Sequence, residues 1–182
     1  MEKRNKNMQS KEYEQNCFGL QPSADKNCRC LILGSMPGVA SLRAQQYYAH
    51  PRNRFWPLLA TICTGNNAVP EDYGERLQML LTHHIALWDA IGACERQGSL
   101  DTAIHNVRGN DFIAFLAKYP SITTICCNGT KSYQSFCCWN KELLTRPALS
   151  IHSLPSTSPA NASWSFDRLL AKWQAAIAPA IR

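Results

Sequence analysis

The sequence predicts an α/β fold, a three-layer sandwich with helices on both faces of a four-stranded parallel sheet. Three observations lead there. Four short runs are near-continuously apolar rather than alternating, as strands covered on both faces are. The stretches between them space their apolar residues as helices do. Strand and helix then alternate along the chain, which gives parallel strands joined by right-handed crossovers. At 182 residues the chain has the length of one ordinary domain.

Residues 1–27 are polar, mixed in charge and poor in branched apolar residues, so a peripheral arm is expected there and a single domain over 28–182. The first strand is "CRCLILG" (28–34). It leaves through Gly34, Pro37 and Gly38, a turn that suits close approach of main-chain N–H groups to a ligand. "RFWPLLATIC" reads as the next helix. "EDYGERLQMLLTH" follows, with acidic residues in its first turn and Leu77, Leu80 and Leu81 at helical spacing. "HIALWD" (84–89) is the second strand and ends at Asp89, before a connecting segment "WDAIGACERQGSLDTAI". The helix "DFIAFLAKY" starts at Asp111 and stops before Pro120. "ITTICCN" (122–128) is the third strand. Asn128-Gly129 then reads most simply as a tight strand-to-helix turn, without the spacing of a P-loop, into "TKSYQSFCCWNKELL". The fourth strand is "ALSIHSL" (148–154). After it, Ser158-Pro159 reads as N-cap and first residue of a helix whose free N–H groups favour a phosphate. The last helix, "SWSFDRLLAKWQAAIA", lines Phe166, Leu169, Leu170, Trp173 and Ile177 along one stripe.

Composition narrows the function classes. A net charge of +6 permits a polyanionic partner without demanding one. Nine cysteines form no C-x-x-C and no zinc or ferredoxin spacing, so no metal and no cofactor are expected. "MEKRNKNMQSKEYEQN" lacks an apolar signal-peptide core, and no apolar run approaches the roughly 18 residues of a membrane span. Reduced, mostly buried thiols in a cytoplasmic protein follow, nucleoid-associated in a bacterial host.

In such sheets ligands bind beyond the carboxyl ends of the strands. There the sequence offers aromatic faces (Tyr47, Tyr48), amides (Asn53, Asn128), hydroxyls (Ser156, Thr157, Ser158) and arginines (Arg43, Arg52, Arg54). It offers no Ser-His or Cys-His pair at a recognised spacing and no carboxylate pair. Aromatic surface with amides and cations suits a flat polar heterocycle attached to phosphate, as in a nucleotide or a flipped base.

"GSMPG…YYAHPRNRFW", over Gly34–Trp56, resembles the first motif of the uracil-DNA glycosylase superfamily, and "LPSTSPAN", over Leu154–Asn161, resembles its second. The mismatch-specific uracil/thymine branch has G-I-N-P-G at the turn and a later H-P-x-N-R-F-W. Its water-orienting Asn falls here on Met36, which cannot orient water. An apolar residue at that place resembles the hypoxanthine-DNA glycosylases, where the resemblance gives the catalytic role to Asn53. It also places Tyr48 where an aromatic stacks on the flipped base. Ser156, Thr157 and Ser158 fall on a loop that pushes into the minor groove. The classical uracil enzymes open the second motif with His; here that position is Leu154, and His152, two residues earlier, is expected to pack inside.

The resemblance implies a DNA glycosylase that hydrolyses the bond between deoxyribose and a deaminated base, hypoxanthine first and uracil second. No lysine occupies the motif as a Schiff-base nucleophile, so a monofunctional enzyme leaving an abasic site is expected. Asn53 would orient water through its amide oxygen, and the turn at Gly34, Ser35 and Met36 would hold the base carbonyl. Asn128 is a second candidate contact to the base, and Asp89 suits a turn cap or a base reader. Arg52 and Arg54 suit either phosphate contact or plain surface. Phe55 and Trp56 suit the core, and His50 suits holding the loop by its ring. The expected partner is DNA with a deaminated base, met by a monomer and away from membranes. Two other classes stay open: an inactive glycosylase-like binder of nucleic acid or nucleotide, and a small-molecule enzyme with the same pocket.

Overall fold

The structure, a computed structural model, describes residues 15–96 and 104–182. In chain order its elements are β1 (Gln15–Phe18), β2 (Cys30–Gly34), α1 (Val39–Ala44), α2 (Phe55–Thr64), α3 (Tyr73–Thr82), β3 (Ile85–Asp89), β4 (Ile91–Arg96), β5 (Ile104–Gly109), α4 (Phe112–Lys118), β6 (Thr124–Asn128), α5 (Thr130–Trp139), a 3₁₀ turn (Lys141–Thr145), β7 (Ser150–Leu154) and α6 (Phe166–Ile181). The four expected strands are β2, β3, β6 and β7. They form one sheet in the order β3-β2-β6-β7, and every pairing is parallel. Gly34 lies level with Asp89, and Asn128 with Leu154, so all four strands end at one rim.

The continuous apolar runs have the predicted cause. Along β2, Cys30 and Ile32 enter a cluster with Phe55, Leu58 and Leu59 of α2 and Leu169, Trp173 and Ile177 of α6. Leu31 and Leu33 point the other way, into a cluster with Phe112 and Phe115 of α4 and Phe136 of α5. The three layers follow. β7 is an edge strand and is only half covered, which leaves His152 half-buried on a margin instead of inside.

Four features differ from the sequence reading. The segment after Asp89 is not a plain connection: β4 and β5 pair antiparallel and take β1 as a third strand, a separate small sheet in the order β1-β4-β5. Its core is Met36, Ile91 and Cys94, joined by Cys17 and Val107, too small and too polar in sequence to signal strands. The arm expected over 1–27 is therefore part of the fold from Gln15 on. Leu20 is buried, Ser23 bridges Leu87, and the Tyr47 hydroxyl donates to Gln21 O at 2.9 Å. Residues 1–14 of that arm, and 97–103 of the β4–β5 connection, lie outside the described residues. The loop after β2 contains the short helix α1. The helix expected over 130–144 ends at Trp139, where the Asn140 side chain donates back to Phe136 O, and continues only as the 3₁₀ turn. Among the described residues no helix is long and apolar enough to cross a membrane.

Trp173 of α6 joins core to rim. It is fully buried, meets Phe55 edge-on at 6.3 Å, and donates its indole N–H to Pro155 O at 2.9 Å. Trp173→Ala is expected to cost about 3–5 kcal/mol in denaturant unfolding. Trp173→Phe, which keeps a ring and loses the hydrogen bond, should cost clearly less.

Candidate functional site

A cleft of about 1140 Å³ opens above the carboxyl rim of the parallel sheet. Its walls are the turn after β2, the loop before α2, the end of β3 at Asp89, the end of β6 at Asn128, and the loop from Ser153 to Asn161. Of the residues singled out by sequence, Gly34, Ser35, Met36, Tyr48, Arg52, Asn53, Asp89, Asn128, Ser156, Thr157 and Ser158 line it, and Arg43 and Arg54 do not. The surroundings of each decide what it can do.

The turn after β2 is tied to the small sheet. Ala90 N–H donates to Gly34 O at 2.8 Å and Ile91 N–H to Ser35 O at 3.0 Å. Met36, 6% exposed, sinks its thioether onto Ile91 and Cys94, so its side chain anchors the turn. The N–H groups of Met36 and Gly38 make no hydrogen bond to any described residue. Gly34 leaves room for its neighbour, since a Cβ there would fall 2.3 Å from Asp89 Oδ1 and displace it.

Tyr48 has φ 53°, the left-handed region that a tyrosine rarely occupies and that clusters at functional sites. Its ring lies on Phe55 at 3.7 Å and 18°, and Trp56 Nε1 donates to Tyr47 O at 3.0 Å. One face of Tyr48 is therefore covered by Phe55, and the residue lines the cleft. Phe55 and Trp56 are core, as their sequence suggested.

Asn53, Thr157 and Asn128 form a chain whose donors and acceptors can be assigned in order. Thr157 N–H donates to Asn128 Oδ1 at 2.9 Å, which fixes the Asn128 amide. Asn128 Nδ2 then donates to Thr157 Oγ1 at 2.9 Å. The hydroxyl proton is left for Asn53 Oδ1, 2.9 Å away, which also accepts Phe55 N–H at 3.0 Å. Both lone pairs of that oxygen are occupied. Against the expectation that Asn53 orients water through its amide oxygen, that oxygen already accepts twice, and among the described residues Nδ2, a donor, has no hydrogen-bond partner. Asn128, which lines the cleft, uses one lone pair of Oδ1 and one proton of Nδ2 on Thr157 and retains a second of each. Thr157 is fully buried and cannot press into a groove. Ser156 and Ser158 are half-buried at the rim, and Arg52 is exposed there.

Arg54 is neither surface nor rim. Its guanidinium donates to the carbonyls of Asn161 at 2.9 Å, Ser158 at 3.2 Å and Trp164, and its N–H donates to Thr157 O at 3.1 Å. These bonds hold residues 157–164 as a loop. Ser158 thus turns locally, accepting from Ala160 N–H at 3.3 Å, and the helix begins only at Phe166, capped by Ser165. No helix N-terminus stands at Ser158 to hold a phosphate. Gly129, with φ 95°, lets this loop cross closely: a Cβ there would lie 3.0 Å from Ser156 Cβ. His50 does hold its loop, accepting Arg52 N–H at Nδ1.

Asp89 is 3% exposed and, among the described residues, is the only carboxylate lining the cleft. Burial first, and then the negative charge of Asp89, push the Tyr47 phenol well above its usual range. Burial likewise lifts the Cys28 thiol to about 11 and Cys63 and Cys127 to about 12, so these are not thiolate nucleophiles. No group of three or more possible metal ligands occurs among the described residues. The sequence reading missed Lys172, exposed on α6 and lining the cleft, and the clamping role of Arg54. Lys172 sits on the polar face of a helical stripe and carries no signal of its own. The carbonyls that Arg54 holds leave no trace in sequence.

Residues 22–178 match the family described as the uracil DNA glycosylase superfamily. A protein from Methanosarcina acetivorans named hypoxanthine DNA glycosylase is 36% identical over 157 residues, covering 86% of this chain and 95% of the relative. A Methanosarcina barkeri protein of the same name is 40% identical over 114 residues, 63% of this chain and 72% of that one. A Methanosarcina acetivorans protein solved by solution NMR superposes with a TM-score of 0.76 at 34% identity, covering 90% of this chain and 97% of its own.

Thr157→Val keeps the volume and removes the bridging hydroxyl. It strands the buried Asn128 Nδ2, so a loss of about 1–3 kcal/mol in unfolding free energy is expected, whereas Thr157→Ser should recover most of it.

Proposed function

Since the chain belongs to the uracil DNA glycosylase superfamily, we propose that it is a DNA glycosylase that releases hypoxanthine from DNA, with uracil as a weaker second substrate. The observation that carries this reading is the Asn53 amide, its oxygen held from behind by Phe55 N–H and the Thr157 hydroxyl, its donor end in the cleft that Tyr48 also lines. The names of the two Methanosarcina relatives support hypoxanthine as the first base.

Cleavage of the glycosidic bond sends its electron pair to the departing base and leaves a cation-like sugar. Water adds to that carbon, its proton is lost, and the base leaves protonated. The demanding step is departure, and donors aimed at the charge developing on the base are what speed it. Asn53 Nδ2 is such a donor, directed at the ring acceptor next to the glycosidic bond. The N–H groups of Met36 and Gly38 are placed to hold an exocyclic carbonyl. Tyr48, which lines the cleft, stacks on the base, worth about 1–3 kcal/mol. Extrusion costs a few kcal/mol and least for a mispaired base, which favours deaminated bases before any bond breaks. Exposed Arg52 and Lys172, with Ser156 and Ser158, are the rim groups for the DNA backbone. The enzyme acts as a monofunctional monomer and leaves an abasic site. Met36 supports a second reading, because its buried thioether supplies no water-holding group at the turn: a domain that binds the damaged base without releasing it.

The protein is expected to generate alkali-labile sites in a hypoxanthine-containing duplex, with no covalent adduct under borohydride; an adduct would assign Lys172 a nucleophilic role. Binding without release would favour the second reading. Asn53→Ala should slow release about 10²–10³-fold. Asn53→Asp keeps the inward oxygen and replaces the donor by an acceptor, so it should fall as far. Activity retained in Asn53→Asp would return the residue to orienting water. DNA affinity should decline with log[salt] at a slope of about −0.9 per phosphate contacted, whereas a salt-insensitive site would point to a small-molecule ligand.

A further inference from the structure

We infer that Asp89 is the specificity-determining group that reads the ring N–H of a deaminated purine; this rests on the glycosylase reading above. Its carboxylate is buried under the rim and, ionised, accepts hydrogen bonds without donating any, and no other carboxylate among the described residues lines the cleft. Deamination changes one ring position in a way an acceptor detects. Hypoxanthine carries N–H where adenine carries a lone pair. A buried carboxylate binds the first and opposes the second, because a charge left facing a lone pair away from water is costly. Guanine shares the N–H, and its intact pair resists extrusion.

Position supports the same assignment. Asp89 and Asn128 end strands that flank β2 at the same level, so they stand roughly 10 Å apart, two strand spacings. Asn53 is joined to Asn128 through the Thr157 hydroxyl. With the sugar end of the base at Asn53, its far edge points toward Asp89. A two-ring base holds its reading N–H farther from the sugar than a one-ring base does, so this span favours deaminated purines over uracil. Gly34 is part of the device, since any side chain there would displace Asp89 Oδ1.

The test compares release of hypoxanthine and of 1-methylhypoxanthine, which lacks the N–H, by wild-type protein and by Asp89→Ala. Wild type should discriminate by about 10³-fold or more, and Asp89→Ala should lose most of that ratio. Equal losses on both bases would mean a merely structural role and overturn the inference. Where Asp89→Ala does not fold, Asp89→Asn serves, and a rise in adenine release relative to hypoxanthine is expected; an unchanged ratio overturns the inference. Wild-type protein that releases no base at all would instead bring down the glycosylase reading, and this one with it. Gly34→Ala, whose Cβ would fall 2.3 Å from Asp89 Oδ1 and 3.3 Å from the Tyr48 hydroxyl, the ends of two side chains, should fold and reproduce the loss of selectivity.

Discussion

One buried hydroxyl sets the geometry of the cleft. Thr157 Oγ1 receives a hydrogen bond from Asn128 and gives one to Asn53, joining the end of β6, the loop after β7 and the loop before α2. Each such bond is worth only about 0.5–1.5 kcal/mol net. Their importance lies in direction. A hydroxyl that must accept on one side has one proton to give on the other, and an amide oxygen that receives it, together with a main-chain N–H, has nothing left to offer water. The orientation of Asn53 follows without any choice at position 53 itself. Oriented that way, it suits a reaction whose barrier lies in the leaving of the base.

The rest of the fold keeps that chain in register. Asn128 is fixed because β6 is buried along its whole length between β2 and β7. Thr157 is fixed because Arg54 grips the loop around it and Trp173 holds Pro155 from below. Phe55 does two things at once: its N–H orients Asn53, and its ring carries Tyr48. The small sheet supports the opposite wall, where Met36 is pinned and the N–H groups of Met36 and Gly38 bond to no described residue. Loss of packing far below the rim therefore reaches the site through main-chain position rather than through contact.

Much of this was legible in the sequence. The four strands of the parallel sheet appear within about two residues of their expected bounds: burial on both faces demands the apolar runs of β2, β3 and β6, while β7 is covered over only part of its length. Asp111 caps its helix as its position implied. The small sheet was hidden because its core is cysteine, methionine and isoleucine in strands with little alternation. Ser158-Pro159 carries a helix-start signal that a remote arginine overrides, gripping the loop from 104 residues away in sequence. The same separation hid the orientation of Asn53. A motif names the amide, but which end of it faces the cleft depends on a threonine and an asparagine that only the folded chain brings beside it.

The coupling between Asn53 and Thr157 in single-turnover release of hypoxanthine measures this directly. If the hydroxyl acts by aiming the amide, Thr157→Val slows release in a wild-type background and adds almost nothing once Asn53 is alanine, so the two effects are strongly non-additive. If instead the two losses multiply in the double variant, the threonine does not work through Asn53, and the hydrogen-bond chain is scaffolding with no part in the chemistry.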